Sequence, residues 1–242
     1  MIDPPAARFS PHAHAYAANR PSYPSEALDA LLNGLGEPSQ LTIADVGAGT
    51  GIASEQLAER GANVLAIEPN ADMRARASDK PRIAWREGTA EATGLLDKSV
   101  DVAAAFQAFH WFDARAAVAE FRRISRKRIA LVQYERDERV PFTAAYGRLV
   151  RRFAVESVED RRAKALTEFE RLTRPCSRYE FRHAQNLDEA RMLGRMASTS
   201  YLPHSGKEAA ELQSEARALF QQFELNGEVS IAMTCFVITA DA

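Results

Sequence analysis

The sequence predicts an α/β protein built on a mostly parallel sheet with helices on both faces, and three observations carry that expectation. Short apolar runs alternate with amphipathic helical stretches from about Leu41 to Tyr134, the rhythm of βαβ units. A turn with three glycines, Gly47, Gly49 and Gly51, follows the first apolar run and precedes the first of those helical stretches. The length of 242 residues suits one sizeable domain with a small lid better than two full domains.

In chain order, a proline-punctuated lead-in, "FSPHAHAYAANRPSYP", gives way to a helix from about Ser25 to Leu35. Strands are expected at Leu41–Val46, Asn63–Ile67, Arg82–Trp85, Val100–Phe106 and Arg128–Gln133; parallel strands joined by helical crossovers are buried on both sides. Asn70 and Asp113 stand where a helix needs an N-cap, and Gly61 where one ends. Behind Asp113, the residues Ala117, Val118, Phe121 and Ile124 form an apolar stripe at helical spacing. After Tyr134 the rhythm changes. One long helical stretch is expected from Pro141 to about Leu172, with Phe142, Tyr146, Leu149, Val150, Phe153 and Val155 at roughly helical spacing, a pattern that fits a packing face first and is compatible with a lid. Then "RYEFRHAQNLD" reads as a strand, Leu187 to Met196 and Lys207 to Phe223 as helices, and "EVSIAMTCFVITA" as a last strand. The expected division is an N-terminal arm and helix at 1–37, a ligand-binding core at 38–137, a helical insertion at 138–177, and strands and helices at 178–242 that complete the sheet.

Composition narrows the function. The 31 Lys and Arg nearly balance 33 Asp and Glu, so a basic nucleic-acid footprint is absent and small molecules are the expected partners, with neither nucleic acid nor membrane. Cys176 and Cys235 are far apart and lack metal-ligand spacing, which argues against a disulfide framework or a zinc site and suits a reducing, cytoplasmic setting. The opening "MIDPPAARFS" lacks the character of a leader, and no apolar run approaches the ~18 residues of a membrane span. His12 and His14 have no acidic or sulfur companion and read as part of an N-terminal arm, so no metal is expected. The basic run "RRISRKR" sits at an expected helix end, where the helix dipole favours it.

A dinucleotide fingerprint is G-x-G-x-x-G. Here position 52 is Ile, and the glycines run G-x-G-x-G behind Asp45 in "IADVGAGTGIASEQLAERGANVLAIEPN". Glu68 ends the second strand, where a carboxylate can accept both ribose hydroxyls; it also reads as a helix-start charge beside Pro69. Two further stretches follow strand ends: "REGTAEATGLLDKSVDVAAAF", and "FQAFHWFD" at 106–113. Ligands of open α/β sheets lie beyond the carboxyl ends of the strands. Gln107, His110 and Trp111 are therefore expected to face a cleft, with Phe109 and Phe112 in the core.

These stretches together resemble the class I S-adenosylmethionine-dependent methyltransferases, and the His-Trp pair resembles their type 11, small-molecule group. The resemblance implies a Rossmann-like, seven-stranded sheet, S-adenosylmethionine as cofactor and a small-molecule methyl acceptor. By resemblance, Asp45, Gly47, Ala48, Gly49 and Gly51 shape the turn around the cofactor, giving room and backbone donors for its amino-acid tail. Glu68 takes the ribose, with Pro69 and Met73 beside it, Thr89 and Ala90 border the adenine, and Gln107 completes the cleft, while Glu91 also reads as a solvated charge. The segment "YAANRPSYP" resembles an N-terminal stretch folded over the cofactor, with Tyr16 and Arg20 near its methionine end, where a guanidinium pairs with a carboxylate; the alternative for Arg20 is a surface charge beside a turn proline. Many relatives carry an acidic residue where Thr89 stands and a Lys-Pro-Gly-Gly turn where this chain has "RISRKRIALV".

For an acceptor that must lose a proton, His110 is the expected base, its free pKa lying near neutrality; for a carboxylate acceptor it only orients. Tyr23, Trp111, Tyr201 and His204 are expected around the acceptor, although Tyr201 and His204 also read as loop packing and an exposed imidazole. Two rivals stand beside this reading. A nicotinamide-dependent oxidoreductase is disfavoured by Ile52 and by the lack of a Tyr-x-x-x-Lys pair. A non-catalytic protein that keeps the cofactor fold is disfavoured by the intact glycines, Glu68 and the His-Trp pair.

Overall fold

A computed structural model describes residues 21–75, 80–155 and 158–242. His12, His14, Tyr16 and Arg20 lie outside the described residues. Seven strands form one sheet: β1 (Thr42–Val46), β2 (Asn63–Ile67), β3 (Ile83–Arg86), β4 (Val100–Phe106), β5 (Ser125–Arg136), β6 (Ser177–Leu187) and β7 (Val229–Asp241). Their order is β3-β2-β1-β4-β5-β7-β6. The first five pair in parallel, and β7 runs antiparallel to both neighbours. The strand order reverses between β1 and β4, the place where an open sheet leaves a crevice at its carboxyl edge.

The helices are α1 (Ser25–Leu32), α2 (Ile52–Glu59), α3 (Ala71–Arg74), α4 (Ala114–Ile124), α5 (Pro141–Phe153), α6 (Val158–Thr173), α7 (Glu189–Ala197) and α8 (Gly206–Phe223). Side chains alternate across a strand, and that alternation sorts the core into two layers. Ile43, Val102, Ala104 and Val132 face Leu28 of α1, Leu57 of α2 and Phe220 of α8. Ala44, Ala103, Ala105 and Leu131 face Phe121 of α4 and Phe169 of α6.

Local chemistry sets the element ends. The Asn70 side chain accepts from the amides of Asp72 and Met73, and Asp113 accepts from those of Arg115 and Ala116, so each satisfies backbone donors that a helix start leaves open. Gly61, at φ +95°, closes α2: its amide donates to Ala58, and the Ala62 amide to Leu57, the paired bonds that satisfy the last carbonyls.

Three expected boundaries move. The first helix stops at Leu32, before Gly34 and Gly36, which hold φ of +78° and +93°. The stretch from Pro141 divides into α5 and α6; the backbone turns extended at Ala154, and the Val155 amide donates to the Tyr201 carbonyl at 3.0 Å. The fifth strand is twice the expected length: α4 passes straight into it at Ser125, and its far end runs on to Arg136 in antiparallel pairing with β7. The basic run is used at that junction: Arg123 pairs with Glu120 and Asp97, Arg126 and Lys127 with Asp101, and Arg128 donates to the carbonyls of Leu31 and Asn33. Specific pairs, more than a helix dipole, account for it. Among the described residues, no helix is long and apolar enough to cross a membrane and no group of three metal-ligating side chains occurs.

Candidate active site

The carboxyl ends of β1, β2 and β4 open onto a cavity of about 330 Å³. Gly47, Ala48 and Gly49 form part of its wall, Glu68, Pro69 and Met73 follow from β2, and Thr89 and Ala90 from the loop after β3. Gln107 and Trp111 come from the segment after β4, and Tyr23 from the lead-in to α1. Sequence-expected residues from five separate segments thus converge on one cleft.

The turn after β1 works by space. Its glycines hold φ of +74°, +60° and +93°, a region that side chains with a Cβ enter only at a cost. A Cβ on Gly47 would stand 2.8 Å from both the Ala108 methyl and the Phe112 ring, and one on Gly51 2.9 Å from the Trp85 indole. At Gly49, a Cβ would meet nothing within 4 Å. The backbone donors expected for a ligand's tail are largely engaged in the fold: Gly47 and Ala48 donate to the Ile67 carbonyl, Gly51 to Ala48, and Gly49 to Glu68 Oε2 at 2.9 Å. The turn contributes room and a fixed carboxylate, while Gly51 itself lies off the wall.

Glu68 is buried, and its other oxygen accepts from the Asn70 amide at 2.9 Å. Two backbone donors hold the carboxylate, and each oxygen keeps a further lone pair for an incoming hydroxyl. Burial pushes its pKa up against the pull of those amides.

Beneath the turn lies Asp45, 0 % exposed and away from the cavity wall. Its Oδ2 accepts from Ser54 Oγ at 2.6 Å, while Oδ1 has no partner among the described residues. Burial pushes this carboxyl up to about 7, with Ser54 opposing and Glu68 adding to the rise. An unfolded chain gives up the proton near 3.9, so stability falls as pH rises from that value through about 7. Asp45→Asn copies the protonated form. Its melting temperature is expected to match wild type near pH 4 and to exceed it at pH 8, each unit of raised pKa being worth about 1.4 kcal/mol. Parallel melting curves across that range would refute the buried acid's role.

At the end of β4, Gln107 adopts φ +54°. Its amide donates to the Tyr134 carbonyl at 3.1 Å and accepts from the Tyr134 amide at 2.9 Å. Gln107 is therefore a brace that fixes Tyr134 at the cleft. The Tyr23 ring packs at 5.2 Å against Phe106 and at 5.6 Å against Tyr134. Trp111 lies on the wall with the Arg161 guanidinium 4.8 Å over its ring. His110 is buried beside Trp111, ring centroids 4.9 Å apart, and is not part of the wall. Phe109 packs in the core against Phe169, and Phe112 packs edge-on against Phe109 at 5.8 Å as expected while its outer side also lines the cleft. Tyr201 is buried on a second cavity that shares Tyr134; His204 is exposed and lines neither.

Sequence reading missed Thr50, Phe112 and Tyr134 as wall residues. Tyr134 had a signal, since it follows the fifth strand candidate as Gln107 follows the fourth. Thr50 Oγ1 is buried without a partner among the described residues, an open donor and acceptor at the cleft.

The charge of the wall is informative. Its acidic groups are Glu68 and Glu91, the latter accepting from the Asp113 amide at 2.9 Å, and among the described lining residues there is neither Lys nor Arg. A pyrophosphate would place negative charge against these carboxylates, whereas a nucleoside with a cationic centre would be attracted to them. The residues present thus fit a sulfonium nucleoside better than a dinucleotide.

Comparison with known proteins agrees with this geometry. Residues 44–132 match the methyltransferase domain family. The chain is 39 % identical over 142 residues to uncharacterized methyltransferases of Mycobacterium bovis and Mycobacterium tuberculosis, a match covering 57 % of this chain and 56 % of each relative. It therefore spans about half the length of the curated relatives it matches. A solved structure from Anaeromyxobacter dehalogenans, assigned as a type II methyltransferase, superposes with a TM-score of 0.65 at 29 % identity, covering 92 % of this chain and 97 % of that one. Another, from Anabaena variabilis, shares the fold with a TM-score of 0.64 at 24 % identity, covering 90 % and 98 %.

Proposed function

We propose that this chain is a class I S-adenosylmethionine-dependent methyltransferase that binds that cofactor in the 330 Å³ cleft and passes its methyl group to a small-molecule acceptor. The observation that carries the reading is the wall itself: apolar and acidic, without Lys or Arg among its described residues, with Glu68 held by an amide of the glycine turn. When bound, the cofactor would supply a methyl group already activated on a sulfonium, whose sulfur would keep the electron pair of the broken bond. The chain's part is to align and to exclude water.

In this reading Glu68 accepts the ribose hydroxyls, and Gly49 leaves space for the tail. Pro69, Met73, Thr89 and Ala90 border the base. Asp45, Gly47, Ala48 and Gly51 shape the turn, and Gln107 fixes Tyr134. Tyr16 and Arg20 belong to the proposed methionine end, and Tyr23 and Trp111 to the acceptor side. His110 acts by orienting the Trp111 indole, with which it is in ring contact.

Calorimetric titration with S-adenosylmethionine, S-adenosylhomocysteine and NADPH tests the reading. Saturable binding of the first two and none of the third is expected; binding of NADPH alone would return the oxidoreductase. Transfer of tritiated methyl to acceptors, followed across pH for wild type and His110→Ala, tests the histidine. An orienting role lowers kcat about tenfold at every pH. A base role would instead remove an ionisation near neutrality from the profile, and unchanged kcat and KM would take His110 out of the site.

A further inference from the structure

The sheet ends in two unlike edges. One is β3, of four residues; the other is β6, which has eleven and pairs with β7 from Ser177 to Leu187 without a break in register. Among the described residues no strand lies along the outer side of β6. A long, regular edge presents a row of backbone donors and acceptors, and proteins blunt it with proline, lysine, a bulge or shortness. β6 has none of these. Its side chains leave the edge open as well: Ser177, Arg178, Tyr179, Glu180 and Arg182 are exposed, and Phe181 and His183 are half-buried.

Charge blunts an edge when like meets like. On β6 the signs alternate: Arg178, Glu180 and Arg182 share one face of the strand. Arg178 is engaged within the chain, 2.6 Å from Glu170 of α6 and 4.6 Å over the Phe236 ring, and its Nε donates to Glu180 at 3.2 Å. Across the ladder, Glu180 stands opposite Phe236 and Arg182 opposite Thr234, so neither charge has an opposite charge facing it on β7. Asp137, an acid that feels the charge of Arg182, is held by Arg139 at 2.6 Å.

A two-fold axis normal to the sheet would pair two copies of β6 antiparallel with like faces together. Centred on Glu180 or Arg182, it sets like charges against each other. Centred on Tyr179, it opposes only Ser177 to Phe181; centred on His183, it leaves Glu180 and Arg182 opposite neutral side chains. Centred on Phe181, it sets Glu180 opposite the partner's Arg182 and, by symmetry, Arg182 opposite the partner's Glu180. On the other face Phe181 then meets its own copy, and Tyr179, 37 % exposed, meets the partner's His183. Such aromatic cross-strand pairs stabilise adjoining strands.

We propose that β6 is a docking edge for a second copy of this chain, joined antiparallel about Phe181 so that Glu180 and Arg182 pair reciprocally across the axis. The sheet then continues from one copy into the other, and because the axis reverses strand direction the two clefts open at opposite ends. β6 contributes nothing to the cleft wall, so the proposal stands apart from the methyl-transfer reading.

Analytical ultracentrifugation of the full chain across roughly 1 to 500 µM, the span in which a weak complex becomes populated, tests it. Wild type is expected to pass from monomer to dimer. Glu180→Arg sets two arginines against each other at both symmetric positions, and Arg182→Glu does the same with two glutamates; each variant alone should raise the dimer Kd about tenfold or more. An equimolar mixture of the two variants again opposes unlike charges at every position, so the dimer should return with an affinity near that of wild type. Both positions are exposed, and melting curves of the dilute variants should lie close to wild type. A wild-type chain that stays monomeric throughout, a dimer indifferent to both single substitutions, or a mixture that dimerises no better than its components would each overturn the proposal.

Discussion

Glu68→Gln is expected to raise the Kd for S-adenosylhomocysteine ten- to a hundred-fold. The carboxylate is buried at the cleft wall and already fixed by two amides, those of Gly49 and Asn70. A ribose hydroxyl reaching it meets an acceptor that needs no reorganisation, and a hydrogen bond to a charged group is worth about 1.5–3 kcal/mol, or one to two decades of affinity. Glutamine keeps one acceptor oxygen and turns an NH₂ toward the other amide donor, so one existing bond becomes a donor–donor clash. Part of the loss will therefore show as lower stability, on the order of 1 kcal/mol. Binding calorimetry beside a thermal melt separates the two: a drop in melting temperature with unchanged affinity would remove Glu68 from the ligand's contacts and leave it as a brace for the turn. Asp45→Asn serves as the comparison, since that carboxylate lies off the cavity wall.

How much of this was legible beforehand follows from what each signal depends on. β2 and β4 match their expected limits residue for residue, because turn residues bound the first and an unbroken apolar run defines the second. The caps at Asn70 and Asp113 and the ending at Gly61 were equally legible, being local chemistry within a few residues. The start of β5 was cut short since Ser125, Arg126 and Lys127 look like a helix end in sequence, and only the pairing of Arg126 and Lys127 to Asp101, distant in sequence, marks them as strand residues. In the site, residues tied to a strand end were located, as Glu68, Gln107 and Trp111 were. The positions of His110 and Phe112 were harder to read. A short 3-10 turn at Phe109–Trp111 rotates successive side chains, placing Trp111 and Phe112 on the wall and His110 behind it. The second cavity, which holds Tyr201, draws its lining from α5, α6, α7, β5 and β7 with no common spacing, so no motif announces it.

The three glycines of the turn are expected to fail in two different ways when each is replaced by alanine. At Gly47 the new methyl would stand 2.8 Å from the Ala108 Cβ, which is fixed directly to backbone, and at Gly51 it would stand 2.9 Å from a rigid indole. Both proteins must also hold a residue with a Cβ at φ of +74° or +93°. Strain of about 1–3 kcal/mol for the backbone and about 1–3 kcal/mol for overpacking should lower their melting temperatures clearly, and weak ligand binding would follow from a disturbed turn. Gly49→Ala carries the backbone strain at φ +60° and meets no atom within 4 Å, so it should be the most stable of the three. Its added methyl occupies open space at the cavity wall. Binding of S-adenosylhomocysteine should fall at least as far as in the other two, despite the smaller stability loss. Plotting the change in melting temperature against the change in Kd for the three proteins would set Gly49→Ala off the line on the side of lost binding. A shared line would mean that the turn acts only through stability, and the space at Gly49 would then have no part in holding the cofactor. A companion pair makes the Gly51 argument independent of the ligand: Gly51→Ala combined with Trp85→Leu removes the indole the methyl meets, so the double variant should be less destabilised than the sum of its parts. Additive losses would place the cost of Gly51→Ala in its backbone angle alone.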